Sequence, residues 1–340
     1  MQFIDRLWYC PGHPLSWLLR PLSWLFGFVG MVRRGWYRRG VFSSRRLPVP
    51  VVVIGNLTAG GTGKTPLTAY LAQALRAAGH RPGIVSRGYG GKAAAPQLVA
   101  TDSDPAEVGD EPLLLARITG VPVCVHRRRA EAGQALLAAH PEVDVILCDD
   151  GLQHYALARD IEIAVVDGAR GFGNGALLPA GPLREPLRRL AGVDAVVVNG
   201  VGRAAQPVDR PTFTMRLQPG RSYRLDDPAL TTSAAELAGQ PLTAVCGIGN
   251  PARFFATLTA LGLAFTPLAL PDHHRFTPSD LPAGTLIVTE KDAVKLAALP
   301  DLAAASARIW VLPVSATLEP ELASWLMQRL SELVDGRETA

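Results

Sequence analysis

The segment Thr58-Ala59-Gly60-Gly61-Thr62-Gly63-Lys64-Thr65 is the chain's most explicit piece of chemistry. Glycines let a backbone curl until its N–H groups converge on phosphate oxygens. A lysine at the end of the curl neutralises the outer phosphates, and the next hydroxyl can enter a magnesium shell. Gly60, Gly61, Thr62, Gly63, Lys64 and Thr65 are therefore the candidate nucleotide-binding residues, with Thr65 also a candidate metal ligand. The loop is a GGxGKT variant: Thr58 stands where the strict pattern has glycine, and Ala59 where related loops often carry lysine. Such a loop needs an acid to hold the metal. Val145-Ile146-Leu147-Cys148-Asp149-Asp150 supplies two, at the end of an apolar run. Neighbours on a strand face opposite ways, so one carboxylate meets Mg2+ and the other supports it or holds a water. Asp149 is the expected ligand, and Asp150 stays a candidate.

These groups need a scaffold. Pro48 to Ile54 is a continuous β-branched run, as in a strand covered on both faces of a parallel sheet. Pro66 opens a helical pattern from Leu67 to Ala78 that Gly79 closes, completing a strand, loop and helix. Further strands are expected at Gly83–Ser86, Val121–Val125, Val145–Cys148, Ile161–Val166 and Ala195–Val198. That alternation predicts a P-loop NTPase-like, doubly wound parallel α/β domain over residues 47–205. The polar, proline-bearing stretch Pro207 to Asp227 reads as an irregular or β-ribbon connection, within a connecting segment 206–240. A smaller α/β domain is expected over 241–340, with strands at Thr243–Cys246, Thr285–Thr289 and Ile309–Val311 and helices at Pro251–Leu261 and Pro320–Val334.

The front of the chain, residues 1–46, is of another kind. It holds eight arginines and one acid, Asp5, and four of the chain's six tryptophans, Trp8, Trp17, Trp24 and Trp36. PLSWL occurs at Pro14–Leu18 and again at Pro21–Leu25; seven residues are two helical turns, so Trp17 and Trp24 share a face. Arg20 and Pro21 interrupt the apolar run, leaving Leu22–Val32 too short to cross about 30 Å of hydrocarbon. Indoles favour the headgroup boundary and arginines anionic lipid, so the reading is an amphipathic segment lying on a membrane surface. A secretory signal would carry its charge before the apolar stretch, whereas here most follows it.

Composition narrows the rest. A net charge of +4 is mild for a nucleic-acid binder, and no nucleic-acid partner or obligatory protein partner is inferred. Cys10, Cys124, Cys148 and Cys246 lack metal-ligand spacing, and the last three lie in apolar runs as packed thiols.

A phosphate loop alone does not distinguish a switch, a motor or a kinase. The other polar clusters are Ser86-Arg87-Gly88-Tyr89-Gly90, Gly109-Asp110-Glu111-Pro112, Asp149 to His154, Gly171 to Pro186, Gly247 to Pro251 with Arg253-Phe254-Phe255, Asp272-His273 and Thr289-Glu290-Lys291-Asp292. With GGTGKTP they closely resemble the tetraacyldisaccharide 4'-kinase family, the lipid A 4'-kinases of Gram-negative bacteria, from the N-terminal apolar segment to about Lys295. The resemblance implies transfer of the ATP γ-phosphate to the 4'-hydroxyl of a lipid disaccharide 1-phosphate, at the cytoplasmic face of the inner membrane. It implies a catalytic pair, Asp110 and His273, with His274 the competing histidine. It also implies that Arg87, Arg184 and Glu185 line the substrate side. Read as isolated residues, Asp110 fits a helix cap equally well, and the other three fit surface ion pairs. Thr289 to Asp292 looks like a guanine-reading signature with its lysine one place late, so GTP is not inferred. A membrane-attached nucleotide switch, or a small-molecule kinase or ligase on this fold, is the rival reading. The switch has no use for a sugar site, and a small-molecule enzyme has none for the tryptophan and arginine front.

Overall fold

The structure, a computed structural model, describes residues 3–10, 12–200, 202, 209–299, 302, 308–319 and 321–338; of residue 3 and residues 334–338 it describes the backbone alone. The strands in chain order are β1 (Val51–Gly55), β2 (Pro82–Ser86), β3 (Gln97–Leu98), β4 (Val123–Val125), β5 (Val145–Asp149), β6 (Ile161–Asp167), β7 (Ala195–Asn199), β8 (Thr212–Pro219), β9 (Ser222–Arg224), β10 (Thr231–Thr232), β11 (Leu242–Cys246), β12 (Thr266–Ala269), β13 (Thr285–Thr289), β14 (Ile309–Leu312) and β15 (Val314–Glu319). The helices are α1 (Phe3–Tyr9), α2 (Pro14–Arg38), α3 (Lys64–Ala77), α4 (Pro105–Val108), α5 (Asp110–Thr119), α6 (Arg129–Ala139), α7 (Ala234–Leu237), α8 (Pro251–Ala260), α9 (Glu290–Leu296) and α10 (Leu322–Glu338).

Among the described residues the strands form two sheets. The larger has nine strands in the order β15-β8-β7-β6-β1-β5-β2-β4-β3, with antiparallel edges β15 and β3 and parallel strands between them. β1 shows why its sequence is apolar throughout. Val52 and Ile54 enter the core shared with Leu67, Leu71 and Leu75 of α3, while Val51 and Val53 enter a second core with Leu136 of α6. Each such side chain, fully buried, contributes about 1.5–3 kcal/mol. The carboxyl ends of β1, β5, β6 and β7 lie side by side, and the crevice at such a switch point is where open α/β sheets bind ligands.

The smaller sheet runs β10-β9-β14-β13-β11-β12, with α9 on one face through Leu296 and α8 on the other through Phe254 and Leu258. The two units meet at an apolar joint, where Val294 of α9 joins Val108, Leu113, Leu114 and Val125.

Three expectations change. The boundary expected at 205/206 lies outside the described residues, as do residues 206–208 of the connecting segment. Beyond them the stretch is no free ribbon: β8 pairs in parallel with β7 on the large sheet, whereas β9 belongs to the small one. The smaller unit also does not keep the chain's end. β15 returns to pair with β8, and Leu322, Leu326 and Leu330 of α10 fill the α3 core. The cause is that β15 buries Ala316 and Leu318 on one face, and this half-apolar strand finds its cover on the large unit. Pro320, the expected start of that last helix, lies outside the described residues.

The third change is at the front. Leu22–Val32 does not stand as a separate short stretch: Arg20 and Pro21 interrupt the apolar run but lie inside α2, which runs unbroken through 25 residues. Pro21 forfeits a single helical bond, and serines on either side of it pin the helix down. Ser16 Oγ donates to Ala180 O at 2.9 Å and Ser23 Oγ to Leu177 O at 2.8 Å, while Ala180 N donates to Ser23 Oγ at 3.0 Å. The PLSWL repeat therefore turns its serines inward and its bulky residues out, with Trp17, Leu18, Trp24 and Leu25 all at least 60% exposed. By length and composition alone, α2 could cross a membrane.

Candidate active site

The phosphate loop leaves β1 and enters α3 at Lys64, with Gly63 as the cap residue at φ 96°. A Cβ on Gly63 would fall 2.2 Å from Asn199 Nδ2, the same amide that donates to Thr62 O at 2.8 Å. Only glycine fits that turn, for both its positive φ and its space. Asn56 braces the other side, donating to Thr58 O at 2.8 Å. Lys64 Nζ lies 3.3 Å from Asn56 Oδ1 and 3.5 Å from Asp150 Oδ1. Thr65 follows, half-buried in the first turn of α3.

The two carboxylates at the end of β5 have opposite surroundings. Asp149 is 1% exposed; Oδ1 accepts from Thr68 Oγ1 at 3.2 Å and Oδ2 has no partner. Burial, with Glu111 and Asp150 nearby, pushes its carboxyl up to about 7. Asp150 adopts a left-handed backbone, φ 49°, which swings it off the strand's line toward Lys64 and Arg184, the latter at 3.3 Å. Burial opposes its charge, but Lys64, Arg184 and Arg129 hold the carboxyl down to about 2. A buried carboxylate oxygen without a partner beside a hydroxyl-bearing helix start fits a hard cation, so the residues present suit Mg2+.

Across the cleft, Asp110 is the first residue of α5 and 5% exposed. Its Oδ1 accepts from Glu111 N at 2.9 Å, and its Oδ2 lies 3.1 Å from His273 Nδ1. Burial alone would raise its pKa; the His273 hydrogen bond and the Lys291 charge reverse this and hold it below the ordinary value. Tyr89, from the Arg87-Gly88-Tyr89 loop, lies against His273 with ring centroids 4.7 Å apart. His274 instead faces Asp280 on its own loop at 3.1 Å, which separates the two candidate histidines.

Gly249 joins the two halves. A Cβ there would lie 2.9 Å from Gly61 N and 3.0 Å from Asp272 Oδ2, so the phosphate loop and the His273 loop sit a side chain apart. Asp167, at the end of β6, secures the same contact by accepting from Asn250 at 3.2 Å and pairing with Arg253 at 2.8 Å.

The remaining candidates divide. Arg184 reaches the cleft at Asp150, and Arg87 is exposed at the end of β2. Glu185 lines the cavity between α2 and the Arg184–Arg188 segment. It is 8% exposed, and its oxygens accept from Tyr155 and, at 3.2 Å, from Gln153, with Arg189 at 3.9 Å. It braces the segment that carries Arg184. Sequence reasoning missed Asn56, Asn199 and Asp167. Glu111 and Lys291 stood in the polar clusters without a task; the structure puts the Lys291 ammonium 2.8 Å from Glu111. The signal for it was a lysine directly after an acid at a strand's end.

The model of the tetraacyldisaccharide-1-P 4'-kinase family matches residues 15–331. The tetraacyldisaccharide 4'-kinase of Chromobacterium violaceum is 56% identical over 334 residues, covering 97% of this chain and 98% of that one. That of Dechloromonas aromatica is 50% identical over 345 residues, covering 100% and 99%. Among solved structures, LpxK from Aquifex aeolicus, crystallised in complex with ATP, superposes with a TM-score of 0.76 at 30% identity, covering 93% of this chain and 99% of that one. Agreement in sequence and fold over nearly the full length, around a cleft with a phosphate loop on one wall and an Asp–His pair on the other, places this chain in the tetraacyldisaccharide 4'-kinase family.

Proposed function

We propose that this chain transfers the γ-phosphoryl group of ATP to the 4'-hydroxyl of a tetraacyldisaccharide 1-phosphate while seated on the cytoplasmic face of the inner membrane. The observation that carries the chemistry is the 3.1 Å contact between Asp110 and His273 next to the phosphate loop. Gly60 to Thr65 cradle the phosphates, and Lys64 neutralises the outer ones. Thr65 and Asp149, with Asp150 behind, would hold Mg2+, which when bound offsets the charge that develops on the phosphoryl oxygens. Asp110 accepts the hydroxyl proton as the new O–P bond forms and the bond to the ADP oxygen breaks. His273 donates Nδ1–H to the carboxylate and fixes its direction. In a loose phosphoryl transfer the alcohol loses its proton late, so placement of the base counts for more than a high pKa. Arg87 and Arg184 meet the anionic sugar phosphate.

Labelled ATP supplied with the lipid disaccharide 1-phosphate in mixed micelles tests the reading. One mole of phospholipid product is expected per mole of ADP, and release of free phosphate alone would leave a nucleotide switch.

The acceptor's acyl chains stay in the bilayer, so the enzyme must go to it. The indole and leucine face of α2 supports this, as does the cavity of about 220 Å³ between its last turns, with Arg34 and Arg38, and the Arg184–Arg188 segment. Changing Trp17, Leu18, Trp24 and Leu25 together to Ser should lower partition onto phosphatidylglycerol vesicles by about 100-fold or more. Equal flotation of the variant and the unaltered chain would remove α2 as the attachment.

A further inference from the structure

The segment Thr289 to Asp292 has the look of a base-reading motif, but the structure gives each of its residues another job. Thr289 caps α9, its Oγ1 accepting from Asp292 N at 3.2 Å and donating to Asp292 Oδ2 at 2.7 Å. Asp292 is fully buried and ties down the nucleotide-side loop, accepting from Gly247 N at 3.1 Å and pairing with Lys295 at 2.7 Å. Glu290 accepts from Val314 N at 3.0 Å, at the start of the strand that returns to the large sheet. Lys291 is left pointing across the joint between the two units, one helical turn from the apolar anchor Val294.

There it meets the base. Lys291 Nζ lies 2.8 Å from Glu111 Oε1, 3.4 Å from Asp272 Oδ1, 3.5 Å from His273 Nε2 and 3.9 Å from Asp110 Oδ2. Three carboxylates and an imidazole thus converge on one ammonium. Burial disfavours its charge, yet Glu111, Asp110 and Asp272 outweigh this and raise its pKa above the ordinary lysine value, so it stays a cation.

We propose that Lys291 is a positioning residue for phosphoryl transfer: docking of α9 on α5 brings its ammonium into the Asp110–Glu111 pair, and this sets the tautomer and charge of the Asp110–His273 base. A cation facing His273 Nε2 makes that nitrogen the acceptor, so the proton resides on Nδ1 and is donated to Asp110. The same charge helps keep Asp110 ionised although it is buried. Lys291 Nζ is held by Glu111, Asp272 and Asp110, so the role assigned to it is to orient the base. Its place on α9 and the base's on α5 also mean that the base is complete only when the two units are docked. The inference rests on the kinase reading above.

The test compares Lys291→Met and Lys291→Arg with the unaltered full chain, using magnesium-ATP and the lipid disaccharide 1-phosphate, after matching of thermal unfolding and ATP-analogue binding. Methionine should lower kcat on the order of 10- to 100-fold, with KM for ATP within about threefold. Arginine should recover most of the loss. The charged groups acting on Asp110 are His273 and Lys291, with Lys295 beyond, while Glu111 and Asp272 face Lys291. With one cation gone, the low-pH limb of kcat/KM should move upward in the methionine variant. In an Asp110→Asn background the methionine change should add less than about threefold, because the lysine acts through that carboxylate. Unchanged turnover in Lys291→Met, equal loss in both variants, or losses that multiply with Asp110→Asn would overturn the role. An unaltered chain that makes no phospholipid product would bring down the kinase reading, and this role with it, whereas normal turnover by Lys291→Met removes the lysine alone.

Discussion

Replacing Asp110 by Asn lowers kcat for the lipid acceptor by about 10²- to 10⁴-fold and leaves ATP affinity within about twofold. The amide keeps the shape of the side chain but cannot take the hydroxyl proton, and it presents either a donor or a weak acceptor to His273 Nδ1, now 3.1 Å away. The phosphate loop is braced elsewhere, by the Asn56, Asn199 and Lys64 contacts, so the loss is expected in kcat. His273→Ala should fall less, because the carboxylate survives and Lys291 still faces it at 3.9 Å. The ordering is checked by initial rates at saturating ATP. Asp110→Asn turning over at the wild-type rate would take this carboxylate out of the reaction. The folded pKa of Asp110 lies below its unfolded value, so its contribution to stability is present at neutral pH and fades only below about pH 4.

Asp149→Asn has effects of opposite sign on activity and stability. Turnover should drop by about 10²-fold or more, because the buried oxygen left without a partner beside Thr68 is the expected seat of the metal. The nucleotide-free protein, by contrast, should become more stable, because a buried carboxylate with Glu111 and Asp150 as neighbours gives way to a neutral amide. The pH dependence follows from the sign of the shift. A carboxyl at about 7 when folded and about 4 when unfolded binds a proton preferentially in the folded state between those values. Stability of the nucleotide-free protein therefore falls as pH rises from about 4 to 7. The asparagine variant loses that slope, and adding magnesium-ATP should flatten it in the unaltered chain, because a bound cation restores the ionised form. Thermal unfolding across this range, with and without magnesium-ATP, measures both. An unchanged slope in Asp149→Asn would show that another group dominates.

The phosphate loop, the apolar strand before it, the helix after it and the Asp149-Asp150 terminus were all legible from residue order. Each depends on local rules: glycine for a tight turn, β-branched residues for a two-faced buried strand, proline at a helix start. The resemblance added Asp110 and His273, 163 positions apart, whose meeting no local rule could foresee. Of the PLSWL repeat, the outward tryptophans were legible. The inward serines were not, because a small polar residue has no apolar signature and its role depends on carbonyls near position 180. Pro21 interrupts the apolar run without ending the helix: its local cost is real, but contacts distant in sequence offset it.

What the sequence determined by itself was the class of chemistry, since phosphate binding needs only a short run of residues in one order. What the tertiary structure alone decided was the assembly of the base. β15 and α10 return to the large sheet, Val294 docks on α5, and Lys291, Asp272 and His273 converge on Asp110 and Glu111. Such groups interact through space, with energies set by separations of about 3–4 Å and by exclusion of water, and neither quantity is written in the spacing along a chain.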